Sequence, residues 1–221
     1  MSSITIDETA SKSTTTTVHV LQSGEVNIDR ALAFRERTLH PMPYTGWFRS
    51  KEKRIWVPVS AYLIEHPEGP VLVDTGWHTD VRTNQRSHLG WLAWSMYRGR
   101  LPEGQAISEQ LAALGFPPED LAAVVLSHLH ADHVSGVGLV EDAPRIVVSE
   151  PEWDARTDFG YVPSMWDGVD LEPFALEEIP FGPFRRGLDL FGDGTVYLVY
   201  TPGHSEGHVS VVAWTESGWV L

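Results

Sequence analysis

Apolar residues in this chain fall into short runs rather than long stripes. Residues 15–28 alternate polar and apolar positions, the period of a half-buried strand, with a turn expected at Gly24. Apolar runs at 55–64 and 71–73 flank Glu65-His-Pro-Glu-Gly69, which predicts a hairpin. Residues 107–114 show helical spacing, with Ser108 the expected N-cap and Gly115 the stop. Residues 121–127 and 145–149 read as short buried strands, and 150–156 as the start of a helix. Residues 195–200 and 209–214 read as strands, and Thr215-Glu-Ser-Gly218 as a turn into a return strand at Trp219. Two stretches have no clean period. Residues 77–105 are irregular and aromatic, and 157–187 are dense in Pro, Gly and aromatics, which suggests a long lid or loop. Strands and helices mix, with hairpins at both ends, so the fold class is α+β or layered α/β.

A length of 221 residues suits one domain with a tail. Residues 1–17 are rich in Ser and Thr and lack the basic start and apolar centre of a signal peptide. They are expected to be a flexible tail on a cytoplasmic protein, with the domain over 18–221. The net charge of −14 repels phosphate backbones and argues against a nucleic-acid partner. The one dense basic run, Arg49-Ser-Lys-Glu-Lys-Arg54, reads as a solvated loop. No stretch of 18 apolar residues exists, so no membrane partner is expected. With no cysteine, disulfides, thiolate nucleophiles and thiolate-held metals are excluded, and any metal must sit on His, Asp or Glu.

The densest chemistry is Ser127-His-Leu-His-Ala-Asp-His133. His128 and His130 stand two apart at a strand end, so their imidazoles can converge, while Asp132 and His133 arrive from the far side of the turn that follows. A second segment, Tyr200-Thr-Pro-Gly-His204-Ser-Glu-Gly-His208, places His204 at the tip of a tight turn where a distant ligand would be presented. His208 reads as a hydrogen-bonding or core histidine. His19, His40, His66, His78 and His88 read as scattered surface residues. Neutral imidazoles plus a carboxylate suit zinc, with iron, cobalt or manganese as alternatives, and such a site makes hydroxide available for hydrolysis at neutral pH. Gly203-His-Ser-Glu-Gly207 also matches the serine nucleophile elbow, but strand-like residues follow it and no His comes after Glu216.

Val71-Leu-Val-Asp74-Thr-Gly76, Phe116-Pro-Pro-Glu-Asp-Leu121, the 127–133 segment and Thr201-Pro-Gly-His204 with His208 together resemble the metallo-β-lactamase superfamily from about residue 55 onward. The extended segment before the first hairpin is similar to that of N-acyl-homoserine lactonases. The resemblance implies an αββα sandwich. It implies a first metal on His128, His130 and His204, and a second on Asp132 and His133, with Asp74 and His208 behind the ligands. It also implies a catalytic role for Asp132, which would take a proton from the attacking hydroxide and pass it to the leaving alkoxide. The expected function is zinc-dependent opening of a lactone ring by metal-bound hydroxide, with a small-molecule ester or lactone substrate of the N-acyl-homoserine lactone kind, a quorum-quenching activity. Histidine at 130 argues against the flavo-diiron branch, absent cysteine against the Cys-containing zinc β-lactamases, and the acidic charge against the nucleases.

The family pattern also includes a carboxylate that bridges both metals, a following tyrosine in lactonases, and a last histidine ligand. None of these precedes Leu221, so 18–221 is expected to be an incomplete domain with C-terminal strands and helix missing. Two divalent ions bring four positive charges against one negative charge from Asp132, so two zinc ions are expected in the complete family site and one or none in this chain. A glyoxalase-II-like thioester hydrolase and a non-catalytic metal-binding fragment stand as alternatives. Trp47, Phe48, Tyr161, Met165 and Trp166 could line an acyl pocket, but each alone reads as core or lid packing.

Overall fold

The computed structural model describes residues 15–181 and 184–221. The alternating N-terminal segment forms one long strand, β1 (Thr17–Asp29), that runs through Gly24 without turning back. Its register against β2 (Arg54–Glu65) shifts between Gln22 and Glu25, so the glycine marks a bulge. Gly24 has φ +76°, and a Cβ there would lie 2.0 Å from the Arg100 carbonyl oxygen, which is why only glycine fits. Residues 1–14 of the expected tail lie outside the described residues. Thr16 and Thr17 are already engaged: Thr16 N–H donates to the Trp214 carbonyl at 2.8 Å, and Thr17 pairs with Glu65.

A short helix, α1 (Arg30–Ala33), follows β1, and the predicted hairpin joins β2 to β3 (Val71–Val73). The irregular stretch 77–105 holds α2 (Gln85–Met96) and β4 (Arg98–Arg100). Gly90, at φ 73° and ψ 162°, breaks α2 into two pieces, which explains why no helical period shows there. Helix α3 (Ile107–Leu114) has the predicted bounds and ends on Gly115 in the left-handed region. Its N-cap is Ala106, not Ser108. The Glu109 carboxylate reaches back to accept the Ala106 N–H at 2.9 Å, so the first turn needs no hydroxyl cap.

Next come β5 (Ala123–Val125), α4 (Ala131–Val134), β6 (Ile146–Ser149) and α5 (Glu150–Ala155). The expected loop over 157–187 contains three strands, β7 (Glu172–Phe174), β8 (Glu177–Phe181) and β9 (Phe184–Asp189). Pro173 and Pro180 disguise β7 and β8. Both strands lie at sheet edges, where a missing N–H is tolerated. The chain then runs through β10 (Val196–Tyr200), β11 (Val209–Thr215) and β12 (Gly218–Val220).

The strands form two sheets, ordered β4-β1-β2-β3-β5-β6-β7 and β12-β11-β10-β9-β8. In the first, β3, β5, β6 and β7 are parallel. Alternation sorts their side chains between two cores. Leu72, Val124 and Val148 face Leu89 and Ala93 of α2 and Ile107 and Leu111 of α3, while Val73, Val125 and Val147 face Val196, Leu198 and Val209 of the second sheet. Cover on both faces is why these strands are continuously apolar. The layered α+β sandwich is therefore present. A third cluster, Ile179, Phe181, Tyr197, Val199 and Val212, occupies the outer face of the second sheet. No helix among the described residues is long and apolar enough to cross a membrane. One surface expectation fails. His66 is buried, stacked on Phe191 at 3.9 Å, with Nε2 within 3.2 Å of Asp193 and 3.1 Å of Thr195.

Candidate metal centre

The parallel strands β3, β5 and β6 end side by side, and each delivers an anchor into the same region. After β3 comes Asp74, buried and at φ +60°. Its Oδ1 accepts the Ser127 N–H at 2.8 Å, and its Oδ2 accepts the Ser127 hydroxyl at 2.8 Å and His133 Nδ1–H at 2.7 Å. Thr75 N–H and Oγ1–H both donate to the His133 carbonyl at 2.8 Å. One short loop thus holds both ends of the 127–133 segment.

After β5, the Ser127 hydroxyl is committed to Asp74, so at 3.0 Å it accepts from His128 Nδ1. That network assigns the proton to Nδ1 and leaves a lone pair on His128 Nε2. Nε2 of His128 lies 3.1 Å from His204 Nε2, which in turn lies 3.1 Å from His130 Nδ1. One nitrogen from each of the three rings falls within 4.8 Å of the others. Burial pushes the His128, His130 and His204 imidazolium forms below their ordinary range, reinforced by neighbouring histidines. Three neutral nitrogens facing one another suit a cation between them. Tetrahedral zinc with nitrogen ligands would set them about 3.3 Å apart. The donor set therefore fits zinc.

Asp132 and His133, on α4, form the second predicted pair, with His133 Nε2 3.8 Å from Asp132 Oδ2. Burial opposes a charge on His133, but Asp74 and Asp132 outweigh it and lift the imidazole to about 9. The His128 and His133 rings are 4.1 Å apart, so both predicted sets belong to one cluster. His208 sits 5.2 Å from the His128 ring, with Nδ1 against Thr201 Oγ1 at 2.9 Å. It backs the cluster through a hydroxyl rather than joining the three converging nitrogens.

Glu152 was not singled out by the sequence. Fully buried in α5, its Oε1 accepts from Leu129 N–H at 2.9 Å and the Tyr161 hydroxyl at 2.8 Å. Its Oε2 accepts from Ser205 Oγ–H at 2.7 Å and Gly207 N–H at 3.0 Å. One carboxylate therefore ties the His128–His130 loop to the His204–His208 loop. Ser149 and Glu152 have the spacing of a helix-start motif, which was the one available signal. Here the glutamate turns to the two loops instead of to its own helix end.

Ser205 spends its hydroxyl on Glu152 and is followed by β11, not by a helix, so the nucleophile-elbow geometry is absent. Of the acyl-pocket candidates, Met165 and Trp166 are core, Phe48 is fully exposed and Trp47 Nε1–H donates to Ser95 at 3.0 Å. Tyr161 alone reaches the cluster, its ring 5.3 Å from that of His130. An open cavity of about 360 Å³ lies there, lined by His130, Phe159, Tyr161, His204 and Ser205 among others.

Comparison with known proteins agrees with this geometry. The family model described as "Metallo-beta-lactamase superfamily" matches residues 54–216. The N-acyl homoserine lactonase AttM of Rhizobium radiobacter is 36% identical over 161 residues, which cover 71% of this chain and 59% of AttM. An N-acyl homoserine lactonase of Bacillus thuringiensis is 34% identical over 174 residues, covering 76% of this chain and 64% of the relative. The chain thus spans about three fifths of the length of the relatives it matches. Among solved structures, an N-acyl homoserine lactone hydrolase with N-hexanoyl-L-homoserine at its catalytic metal centre superposes with a TM-score of 0.71 at 26% identity. That match covers 94% of this chain and 74% of the other.

Proposed function

The chain belongs to the metallo-beta-lactamase superfamily, and on that premise we propose that it is a zinc-dependent hydrolase that opens the ring of N-acyl homoserine lactones. The convergence of His128, His130 and His204 carries the reading. Relatives named as lactonases support the substrate class. Zinc held at this centre supplies a water nucleophile at neutral pH and an electrophilic pull on the lactone carbonyl.

The side chains divide the remaining work. His128, His130 and His204 would hold one ion, and Asp132 with His133 would form the half-site for another. Asp74 fixes the ring of His133 so that Nε2 points inward. Glu152 keeps the two histidine loops in register. Asp132, whose carboxylate faces the cluster, takes the proton of the attacking water and returns it to the alkoxide released when the acyl C–O bond of the ring breaks. The product is an N-acyl homoserine, and removal of the lactone is the quorum-quenching outcome. The open cavity lined by His130 and Tyr161 would receive the acyl chain.

The test is turnover by the zinc-loaded chain with N-acyl homoserine lactones of several acyl lengths, followed by proton release. A chelator abolishes it and added zinc restores it, while a serine-reactive phosphonate has no effect. Hydrolysis of a thioester but of no lactone would move the chain to thioester chemistry. Bound zinc without turnover of either would make it a metal-binding protein only.

A further inference from the structure

A second group of metal-donor side chains stands apart from the five-histidine cluster. His78 leads into a 3-10 turn at Thr79–Arg82, where its Nδ1 accepts the Asp80 N–H at 3.1 Å. His88 lies on α2, its ring stacked on that of His78 at 5.2 Å. Asp80 Oδ2 is 3.5 Å from His78 Nδ1 and 3.9 Å from His88 Nδ1. One donor atom from each of the three residues lies within 4.8 Å of the others. Behind them, Ser135 Oγ accepts the His78 N–H at 3.0 Å and contacts His88 Nε2 at 2.6 Å.

We propose that His78, Asp80 and His88 form a separate binding site for a divalent transition-metal ion of the zinc type, distinct from the centre built on His128, His130 and His204. Two imidazoles and one carboxylate, without a thiolate, are the donor set that borderline divalent ions prefer, with His78 Nδ1 exchanging the Asp80 N–H for the ion on binding. The second layer is built as a metal site requires. Ser135 Oγ, 2.6 Å from His88 Nε2, can accept Nε2–H, and that tautomer turns the Nδ1 lone pair towards Asp80 for the ion while Ser135 holds the ring. Burial also keeps His88 neutral, so its lone pair is available. Asp80 is half exposed, which leaves room for water to complete the coordination.

The rival reading of the same atoms is a Ser135–His88–Asp80 triad, and the structure argues against it. Ser135 is only 2% exposed, and its Oγ is occupied by the His78 N–H. The 3.9 Å between His88 Nδ1 and Asp80 also exceeds hydrogen-bond reach. An ion here would join the loop after β3 to the start of α2, so its effect would be on local stability rather than on lactone chemistry. The inference is independent of the proposed activity.

The experiment is a zinc titration of the chelator-stripped full chain by calorimetry, with bound zinc counted by elemental analysis after dialysis. Asp80→Asn combined with His88→Gln is expected to bind one zinc fewer than the parent, with circular dichroism unchanged. A His128→Ala/His204→Ala variant is expected to keep one zinc that the further change Asp80→Asn then weakens. Identical stoichiometry and isotherms for parent and double variant overturn the proposal. If the double variant fails to fold, Asp80→Asn alone decides. It should weaken one binding step by at least ~10-fold, the lower end of what loss of a partner around a metal costs, and an unchanged isotherm overturns the site.

Discussion

His133 Nδ1 donates to Asp74 Oδ2 at 2.7 Å, across 59 residues of sequence, and Asp74 makes that contact from a left-handed backbone at φ +60°. The conformation places the carboxylate under three donors at once: the Ser127 N–H, the Ser127 hydroxyl and His133. Asn tolerates the same backbone but puts an NH2 donor where one carboxylate oxygen accepts, so Asp74→Asn keeps the loop conformation while removing both the charge and an acceptor facing Ser127 and His133. The variant should fold and should bind zinc about 10–100-fold more weakly at the Asp132–His133 half of the centre. A zinc titration with a chromophoric competitor measures this. Unchanged affinity would show that Asp74 holds the loop and does nothing for the ion.

Glu152 gives a sharper structural prediction. Removing its carboxylate in Glu152→Ala strands the buried N–H groups of Leu129 and Gly207, at a cost on the order of 3 kcal/mol. Gly207→Ala should be comparably damaging by a different route, because a Cβ there would lie 1.9 Å from the Glu152 nitrogen. Urea unfolding of the zinc-free chains reads both effects directly. Zinc should recover less stability in either variant than in the parent, since the two histidine loops have lost their common anchor. Equal zinc-induced gains in all three chains would sink the claim that Glu152 sets the geometry of the centre.

The strands and helices that could be read from the chain are those whose period is undisturbed, such as β2, α3, β10 and β11. Those that could not be read are interrupted by a residue serving another purpose. Gly90 breaks α2, Pro173 and Pro180 sit on edge strands, and Gly24 bulges β1 instead of turning it. His128, His130 and His133 announced themselves because their spacing is local: two residues in a strand end, then a turn. Glu152 did not, because its partners Leu129, Ser205 and Gly207 lie on other loops and no local pattern encodes a contact between α5 and the 203–208 turn, and the His78–Asp80–His88 group did not, because it joins a 3-10 turn to a broken helix that shows no period. His66 misled for the same reason. Its partners Asp193 and Thr195 lie more than 120 residues away and make a buried histidine of one that looked like a turn residue.

Acid stability should depend on a pair remote from the metal centre. Glu109 accepts from Arg82 in a two-pronged contact, 2.8 and 2.6 Å, and this hydrogen bonding holds its carboxyl down from 4.5 to about 2. A depressed carboxyl stabilises the fold above its unfolded value and loses that contribution as pH falls through the folded value. The window is therefore pH 4.5 down to 2. Glu109 is about a third exposed, so solvent screening reduces the effect. Glu109→Gln should flatten the fall in the urea midpoint across that window relative to the parent. It should leave the slope between pH 6 and 8 unchanged. Parallel curves for the two chains would rule the pair out as a source of acid sensitivity.

Tyr97 offers a test with the opposite sign. Its hydroxyl is buried with no hydrogen-bond partner among the described residues, and burial followed by the Asp132 charge pushes its ionisation upward. A buried hydroxyl without a partner forfeits its hydration for nothing, a penalty of about 1–3 kcal/mol. Tyr97→Phe keeps the ring that packs 6.5 Å from Trp77 and removes only the oxygen. The variant should therefore be as stable as the parent or more so, by up to about 1 kcal/mol once the lost packing of the oxygen is subtracted. Urea midpoints of the zinc-free chains decide the sign. A loss of more than about 1 kcal/mol would mean that the hydroxyl is satisfied in solution. If stability instead holds while lactone turnover falls, the oxygen contributes to the reaction and not to the fold.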